Sequence, residues 1–155
     1  DRIVPDCIRA IEKNETIQLR NPNSIRPWQH IMEVISGYLL LAAQLRDHPQ
    51  KYAGSWNFGP ATSEACTVHD LASIISQHFG HDRINIINSQ HHHHEITLLK
   101  LNCDKAHQLL GWQSRWTLDQ TLEATAQWYK TFLDGGDAEL ITRIQIQNYF
   151  PEMKD

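Results

Sequence analysis

Residues 17–34 read Ile-Gln-Leu-Arg-Asn-Pro-Asn-Ser-Ile-Arg-Pro-Trp-Gln-His-Ile-Met-Glu-Val, and they join a strand candidate, residues 16–19, to the longest predicted helix. The helix is predicted over residues 29–46, because apolar residues recur along one side of it at helical spacing. These residues are Ile31, Val34, Ile35, Tyr38, Leu39, Ala42 and Leu45. Such a wide stripe predicts a face that packs on the core.

Strand and helix patterns alternate along the rest of the chain. Pro5 suits the first turn of a helix, and the capping residues Thr67, Asn102, Thr117 and Asp137 each precede a helical pattern. Further strand candidates are residues 55–58, 84–87 and 96–101. The sequence therefore predicts a helix-rich α/β fold, with about six helices and a few short strands, in one domain over residues 1–155. So few short strands favour a lobe that packs against something larger.

Composition places the chain among ordinary globular proteins and argues against two classes of partner. Hydrophobic residues make up 41% of the 155 residues and charged ones 21%. The net charge is −4 and Lys and Arg form no basic stripe, which argues against nucleic acid. The longest apolar stretch, residues 38–43, is too short to span a membrane. Three widely spaced cysteines predict reduced thiols in a cytoplasmic protein.

Several catalytic motifs are absent from the sequence. There is no Gly-x-Gly-x-x-Gly turn to approach a dinucleotide pyrophosphate, no Gly-x-Ser-x-Gly elbow and no phosphate loop ending in Gly-Lys-Ser/Thr. None of the four tyrosines is followed by a Lys four residues later. The chain by itself therefore presents no catalytic constellation. It also lacks an initiator Met, so we expect it to be part of a longer protein.

Four segments carry a family resemblance when they are taken in order. The first is residues 1–10, which begin Asp-Arg-Ile-Val-Pro-Asp, and the second is residues 17–34, which contain Arg-Pro-Trp-Gln-His and are followed by Ser-Gly-Tyr-Leu. The third is Trp-Asn-Phe-Gly-Pro at 56–60, and the fourth joins His-Glu at 94–95 to residues 99–106 and to Leu-Gly-Trp-Gln-Ser-Arg-Trp-Thr-Leu at 110–118. The chain resembles the C-terminal half of CDP-glucose 4,6-dehydratases, within the extended short-chain dehydrogenase/reductase superfamily. The Arg-Pro-Trp-Gln-His segment is specific to that branch, whereas Leu-Gly-Trp indicates only the superfamily.

The resemblance implies a cytoplasmic, homodimeric enzyme with two lobes. Its N-terminal lobe would bind NAD and supply the catalytic Tyr, Lys and acidic residues. The lobe seen here would hold the nucleotide diphosphate of CDP-glucose. The reaction implied is an internal redox that gives CDP-4-keto-6-deoxyglucose and water. We also expect exposed apolar surface where the two lobes meet.

The resemblance also implies substrate contacts, each with a structural alternative. Arg26 would bind the diphosphate, for which its planar guanidinium is well suited; otherwise it is an exposed hairpin residue. Arg2, Ile3 and Pro5 would wrap the base and phosphate, although Pro5 also suits a helix start.

The resemblance assigns further contacts on the same terms. Leu19 would pack on the base or simply fill the core. Asn57 would donate to the diphosphate or occupy a turn. Of the five tryptophans, Trp28 alone is expected near the site.

The run His91-His92-His93-His94 has three interpretations. Consecutive imidazoles can chelate a transition metal, but no spaced ligands from other segments accompany them. An expression tag is the second interpretation, against which the family-like flanking sequence argues. The resemblance favours a loop that reaches the diphosphate through His92 and Glu95, with no physiological metal. Adventitious nickel or zinc binding at residues 91–94 is compatible with this. Thr97 and Leu98, which follow shortly after Glu95, depart from the family pattern.

Two other functions are compatible with the sequence. The chain could be a standalone nucleotide-sugar-binding or oligomerisation module without catalysis. A His-rich metal-binding protein would require a second cluster of ligands, which the sequence does not contain.

Overall fold

The computed structural model describes residues 2–61, 66–87 and 97–151. Within these ranges the chain forms six α-helices, one π-helix and two short strands. In chain order they are α1 (Ile3–Glu12), β1 (Ile17–Leu19), α2 (Ile31–Asp47), α3 (Pro49–Tyr52), α4 (Val68–His78), β2 (Ile84–Ile86), the π-helix (Ala106–Leu110), α5 (Leu118–Leu133) and α6 (Ala138–Tyr149). The predicted helix-rich α/β class is confirmed.

The sheet is smaller than the strand candidates predicted. Strands β1 and β2 run parallel, with Ile17 opposite Ile84 and Leu19 opposite Ile86. Residues 55–58 form no strand. The side chains of Trp56 and Phe58 pack in the smaller hydrophobic cluster, and the backbone pairs with no other strand among the described residues. Of the candidate over residues 96–101, the described part forms a single bridge, between Leu98 and Ile25.

Two hydrophobic clusters hold these elements together. The larger cluster surrounds the sheet and joins it to α1, α4 and α5, through residues that include Cys7, Ile17, Leu71, Ile75 and Leu122. The smaller one consists of Phe58, Ala106 and Trp112 with their neighbours and packs against α2. The sheet therefore forms one unit with α1, α4 and α5, and α2 packs through the smaller cluster.

The helix ends follow the predicted capping pattern. Thr67 and Asp70 form a capping box at the start of α4, and Thr117 and Gln120 form another at the start of α5. Asp137 accepts from two backbone N–H groups of α6. The helix predicted from Asn102 to Gly111 is confirmed in position, but its regular part is the π-helix, which ends at Gly111 with a φ of 65°.

The orientation predicted for α2 is wrong. Much of its apolar stripe is exposed: Ile31 by 59%, Tyr38 by 59% and Leu39 by 61%. The opposite side is buried because it carries Glu33 and Gly37, and a Cβ at Gly37 would overlap the ring of Phe58. The close approach of Phe58 therefore fixes which side of the helix faces the protein. No helix of the described ranges is both long and apolar enough to cross a bilayer.

Glu33 joins three parts of the chain at the start of α2. Its side chain is completely buried. The carboxylate accepts from the backbone N–H of Arg115 at 3.1 Å, from that of Trp116 at 2.8 Å and from the Tyr149 hydroxyl at 2.7 Å. Burial raises the pKa of Tyr149, and the neighbouring carboxylate adds to this, so the hydroxyl stays a donor. One buried charge therefore ties α2 to the segment before α5 and to the end of α6.

We expect Glu33→Gln to lower the free energy of unfolding by about 3 kcal/mol, because both carboxylate oxygens accept hydrogen bonds and the amide nitrogen that replaces one of them cannot. Denaturant titration measures this, and Glu123→Gln, at an exposed position of α5, is the matched control. A loss no larger than that of the control would show that the buried carboxylate does not stabilise the fold.

His30 begins α2 and makes the stability of the fold sensitive to pH. It is buried, and its Nδ1 accepts from the backbone N–H of Met32 at 3.3 Å, which requires an unprotonated Nδ1. Burial lowers the pKa of His30, although Glu33 partly opposes this effect. The unfolded state therefore takes up a proton more readily than the folded state does.

We expect the contribution of His30 to be present above its ordinary pKa of 6.5 and to be lost as the pH falls below that value. His30→Asn keeps a capping side chain but does not titrate, so its unfolding free energy should fall less between pH 7.5 and 5.5. Gln77→Asn, at an exposed position of α4, is the control and should keep the wild-type profile. Identical profiles for wild type and His30→Asn would contradict the prediction.

Candidate functional site

A cavity of about 940 Å³ opens beside the first turn of α1 and the edge of strand β1. Five cationic side chains border it, those of Arg2, Arg9, Lys13, Arg20 and Arg26. The acidic ones are Asp6 and Glu15, and Asp6 is paired with Arg9. In a chain of net charge −4, this surplus of positive charge marks a place suited to an anion.

The start of α1 faces the same cavity. Arg2 precedes the helix in an extended conformation, and its side chain does not cap the first turn. Ile3, Val4 and Pro5 all border the cavity. The first N–H groups of a helix carry partial positive charge, so this end of α1 adds to the cationic character of the site.

A loop held by backbone hydrogen bonds carries two of the arginines, Arg20 at its start and Arg26 at its end. Within the loop, the Ser24 N–H donates to the Asn21 carbonyl. The carbonyl groups of Pro22 and Ser24 accept the N–H groups of His69 and Val68 at 3.0 and 2.9 Å. These are the first donors of α4, which otherwise lack partners within the helix. The loop is therefore fixed against the start of α4.

Both ends of this loop are also fixed. Before Arg20, the Leu19 carbonyl accepts from the N–H of Ile87 at 2.8 Å. Before Arg26, the Ile25 N–H donates to the Thr97 carbonyl at 2.8 Å, and the Ile25 carbonyl accepts from the Leu99 N–H at 3.1 Å. The two arginines thus extend from backbone that neighbouring segments hold in place.

The Arg-Pro-Trp-Gln-His segment acts mostly as a scaffold. The Trp28 indole N–H donates to the Cys66 carbonyl at 3.0 Å, the Gln29 amide donates to the Phe58 carbonyl at 2.9 Å, and His30 caps α2. Arg26 borders the cavity and donates through Nη1 to the Ile25 carbonyl at 2.9 Å. Three side chains of the segment therefore fix the backbone from which the fourth, Arg26, reaches the cavity.

The structure brings together most of the residues predicted to contact substrate. Arg2, Ile3, Pro5, Leu19 and Arg26 all border this one cavity, and so does Trp28. Leu19 is only 1% exposed and belongs to the larger hydrophobic cluster, so it serves the core as well. The contacts of these residues with a substrate remain predictions.

Two predictions fall elsewhere. Asn57 does not border the cavity, and its side-chain amide donates instead to the Asn102 carbonyl at 3.1 Å. This contact fits the structural alternative, in which Asn57 fixes a turn. The diphosphate contacts assigned to His92 and Glu95, like the run from His91 to His94, lie outside the described residues.

Sequence reasoning missed Arg20, which borders the cavity directly after Leu19. Side chains alternate along a strand, so Thr16, Gln18 and Arg20 share a face, and all three border the cavity. Because Leu19 lies on the other face, its assignment gives no signal for Arg20, and it is the cavity that identifies this residue.

The cysteines do not form a reactive site. Cys7, Cys66 and Cys103 are free and buried, as predicted for reduced thiols. Burial raises the pKa of all three thiols, in the case of Cys7 to about 12. They are therefore protonated and unreactive near neutral pH. Nor do the described residues group three or more His, Cys, Asp or Glu side chains in a way that could hold a metal ion.

The fold is shared with solved epimerases and a dehydratase. An epimerase from Methanothermobacter thermautotrophicus superposes with a TM-score of 0.71 at 18% identity, over 92% of this chain and 40% of that protein. The UDP-glucose-4-epimerase of Stenotrophomonas maltophila, with bound NAD and formylated UDP-arabinopyranose, superposes with a TM-score of 0.70 at 17% identity. The match covers 88% of this chain and 41% of that protein. The dTDP-glucose 4,6-dehydratase of Bacillus anthracis, in complex with NAD, superposes with a TM-score of 0.65 at 18% identity. The match covers 84% of this chain and 39% of that protein. These likenesses show the fold.

Sequence comparison gives a nearer relative. No family model matches the chain. The CDP-glucose 4,6-dehydratase of Salmonella typhimurium is 38% identical over 149 residues, which make up 96% of this chain and 42% of that enzyme. The chain therefore spans less than half the length of this relative. As the sequence segments predicted, the chain is similar to a CDP-glucose 4,6-dehydratase over nearly its whole length, which supports the resemblance to part of an extended short-chain dehydrogenase/reductase.

Proposed function

We propose that the chain is the nucleotide-sugar-binding part of a CDP-glucose 4,6-dehydratase. The observation that carries the proposal is the cationic cavity, which Arg26 borders together with four of the other residues assigned from the resemblance. The similarity to CDP-glucose 4,6-dehydratase over 96% of the chain supports the identity of the substrate. The reaction proposed for the whole protein converts CDP-glucose to CDP-4-keto-6-deoxyglucose and water.

The cavity suits the parts of such a substrate. A diphosphate is bound well by a planar guanidinium, which presents two parallel N–H donors to its oxygens. Because Arg26 extends from backbone that is already fixed, little conformational freedom would be lost on binding. The partly exposed apolar residues Ile3 and Val68 on the cavity border offer a surface for the base. Binding here would orient the sugar for chemistry carried out elsewhere in the protein.

The described residues do not fit an NAD site. A dinucleotide pyrophosphate is held by a glycine-rich turn that follows a strand, whereas β1 is followed by Arg20, Asn21 and Pro22. We therefore place NAD and the catalytic residues in the part of the protein that this chain does not include. Homodimerisation and a cytoplasmic location remain proposals for the whole enzyme.

The exposed face of α2, formed by Ile31, Ile35, Tyr38 and Leu39, supports a larger protein. These four side chains occupy one side of the helix at helical spacing. Contiguous exposed apolar surface of this kind marks an interaction site. We propose that the rest of the polypeptide, which accounts for more than half of the Salmonella relative, covers this face.

The second candidate is a binding module without catalysis. It requires only the cationic cavity, which Arg2, Arg20 and Arg26 border, and no catalytic residue. Turnover of CDP-glucose by the natural full-length protein would exclude it. Binding of CDP without turnover would favour it.

We expect Arg26→Gln in the full-length protein to raise the KM for CDP-glucose at least about tenfold, because a charge-assisted contact contributes roughly 1.5–3 kcal/mol. The turnover number kcat should change much less, since the residue binds a part of the substrate that does not react. Steady-state kinetics measure both constants. The control is Arg143→Gln, at an exposed position of α6. An unchanged KM would overturn the assignment of Arg26.

We expect Leu39→Gln to destabilise the full-length protein by about 1–2 kcal/mol, because it places an amide in an apolar interface between the two parts. The matched control is Leu140→Gln on α6, since Leu140 is 55% exposed and Leu39 is 61% exposed. Thermal and denaturant unfolding measure the difference. Equal and small effects of the two substitutions would show that this face of α2 is not covered.

A further inference from the structure

Arg20 is one of three cationic residues of the cavity, with Arg2 and Lys13, whose side chains have no contact among the described residues, and it is the one that shares the anchored loop with Arg26. Arg9 is bonded to Asp6, and Arg26 donates to a backbone carbonyl. For Arg20, no contact of the guanidinium is found within residues 2–61, 66–87 and 97–151. The residue is exposed and borders the cavity. A permanent charge with five donors and no acceptor among the described residues is available for a ligand.

The backbone places this charge on the far side of the anchored loop from Arg26. Arg20 follows Gln18 on the cavity face of β1, and the side-chain oxygen Oε1 of Gln18 accepts from the side-chain amide of Asn85 at 2.9 Å. The hydrogen bond from Ile87 to Leu19 fixes the residue immediately before Arg20. Arg20 and Arg26 therefore border one cavity from the two ends of a loop that is hydrogen-bonded to the start of α4.

We propose that Arg20 is a second anion-binding residue, which binds the diphosphate of the substrate together with Arg26. The inference rests on the proposed function and adds to it a ligand that the resemblance does not assign. A diphosphate offers oxygens on two phosphorus atoms, so two guanidinium groups can bind it without competing for the same oxygens. Both arginines extend from fixed backbone, which reduces the ordering required on binding.

The test compares CDP with inorganic pyrophosphate as ligands of the full-length protein, by isothermal titration calorimetry. Arg20→Gln should weaken both ligands at least about tenfold and by similar factors, because pyrophosphate retains the part that Arg20 binds. Arg20→Lys keeps the charge but loses the planar pair of donors, and should lie between wild type and Arg20→Gln. The matched control is Arg83→Gln, an exposed arginine just before β2 that does not border the cavity.

Failure of this inference is distinguishable from failure of the proposed function. An unchanged affinity for CDP in Arg20→Gln, alongside a loss in Arg26→Gln, would overturn the role of Arg20 and leave the cavity as the nucleotide site. A loss for CDP but not for pyrophosphate would also overturn it, because Arg20 would then contact the base or ribose. Absence of CDP binding by the wild-type protein would overturn both proposals.

Discussion

The buried carboxylate of Glu33 is the constraint on which the arrangement of this fold depends. A charge with no exposure is tolerated because the backbone donors of Arg115 and Trp116 and the Tyr149 hydroxyl surround it. These groups come from distant parts of the chain, so the start of α2 can lie in only one place. Arg26 is a few residues before that point, and the hydrogen bonds of Ile25, Trp28 and Gln29 fix its backbone beside the cavity.

The candidate site is an example of a short motif in which most residues position one other residue. The side chains of Trp28 and Gln29 donate hydrogen bonds to backbone carbonyl groups of two other segments, and His30 caps the helix that follows. The loop before Arg26 is held by the first donors of α4. A cationic cavity built on such fixed backbone needs little rearrangement to receive an anion, which fits a part of an enzyme that binds and orients.

Local features of the fold could be predicted from the sequence, and long-range ones could not. The caps at Thr67 and Thr117 depend on residues three positions away and were correct. The side of α2 that is buried depends on Phe58 and on Glu33 meeting distant groups, and periodicity alone indicated the wrong side. At the site, resemblance assigned Arg26, whereas Arg20 became evident only when strand alternation and the cavity were seen together. The contact of Asn57 with Asn102 spans 45 residues and has no local signal.

A crystal structure of the full-length protein with CDP tests the central claim most directly. The account predicts that the diphosphate lies in the cavity beside α1, with its oxygens within hydrogen-bonding distance of the Arg26 guanidinium and the base against the apolar border near Leu19. A nucleotide bound away from this cavity, with Arg26 facing solvent, would contradict the account.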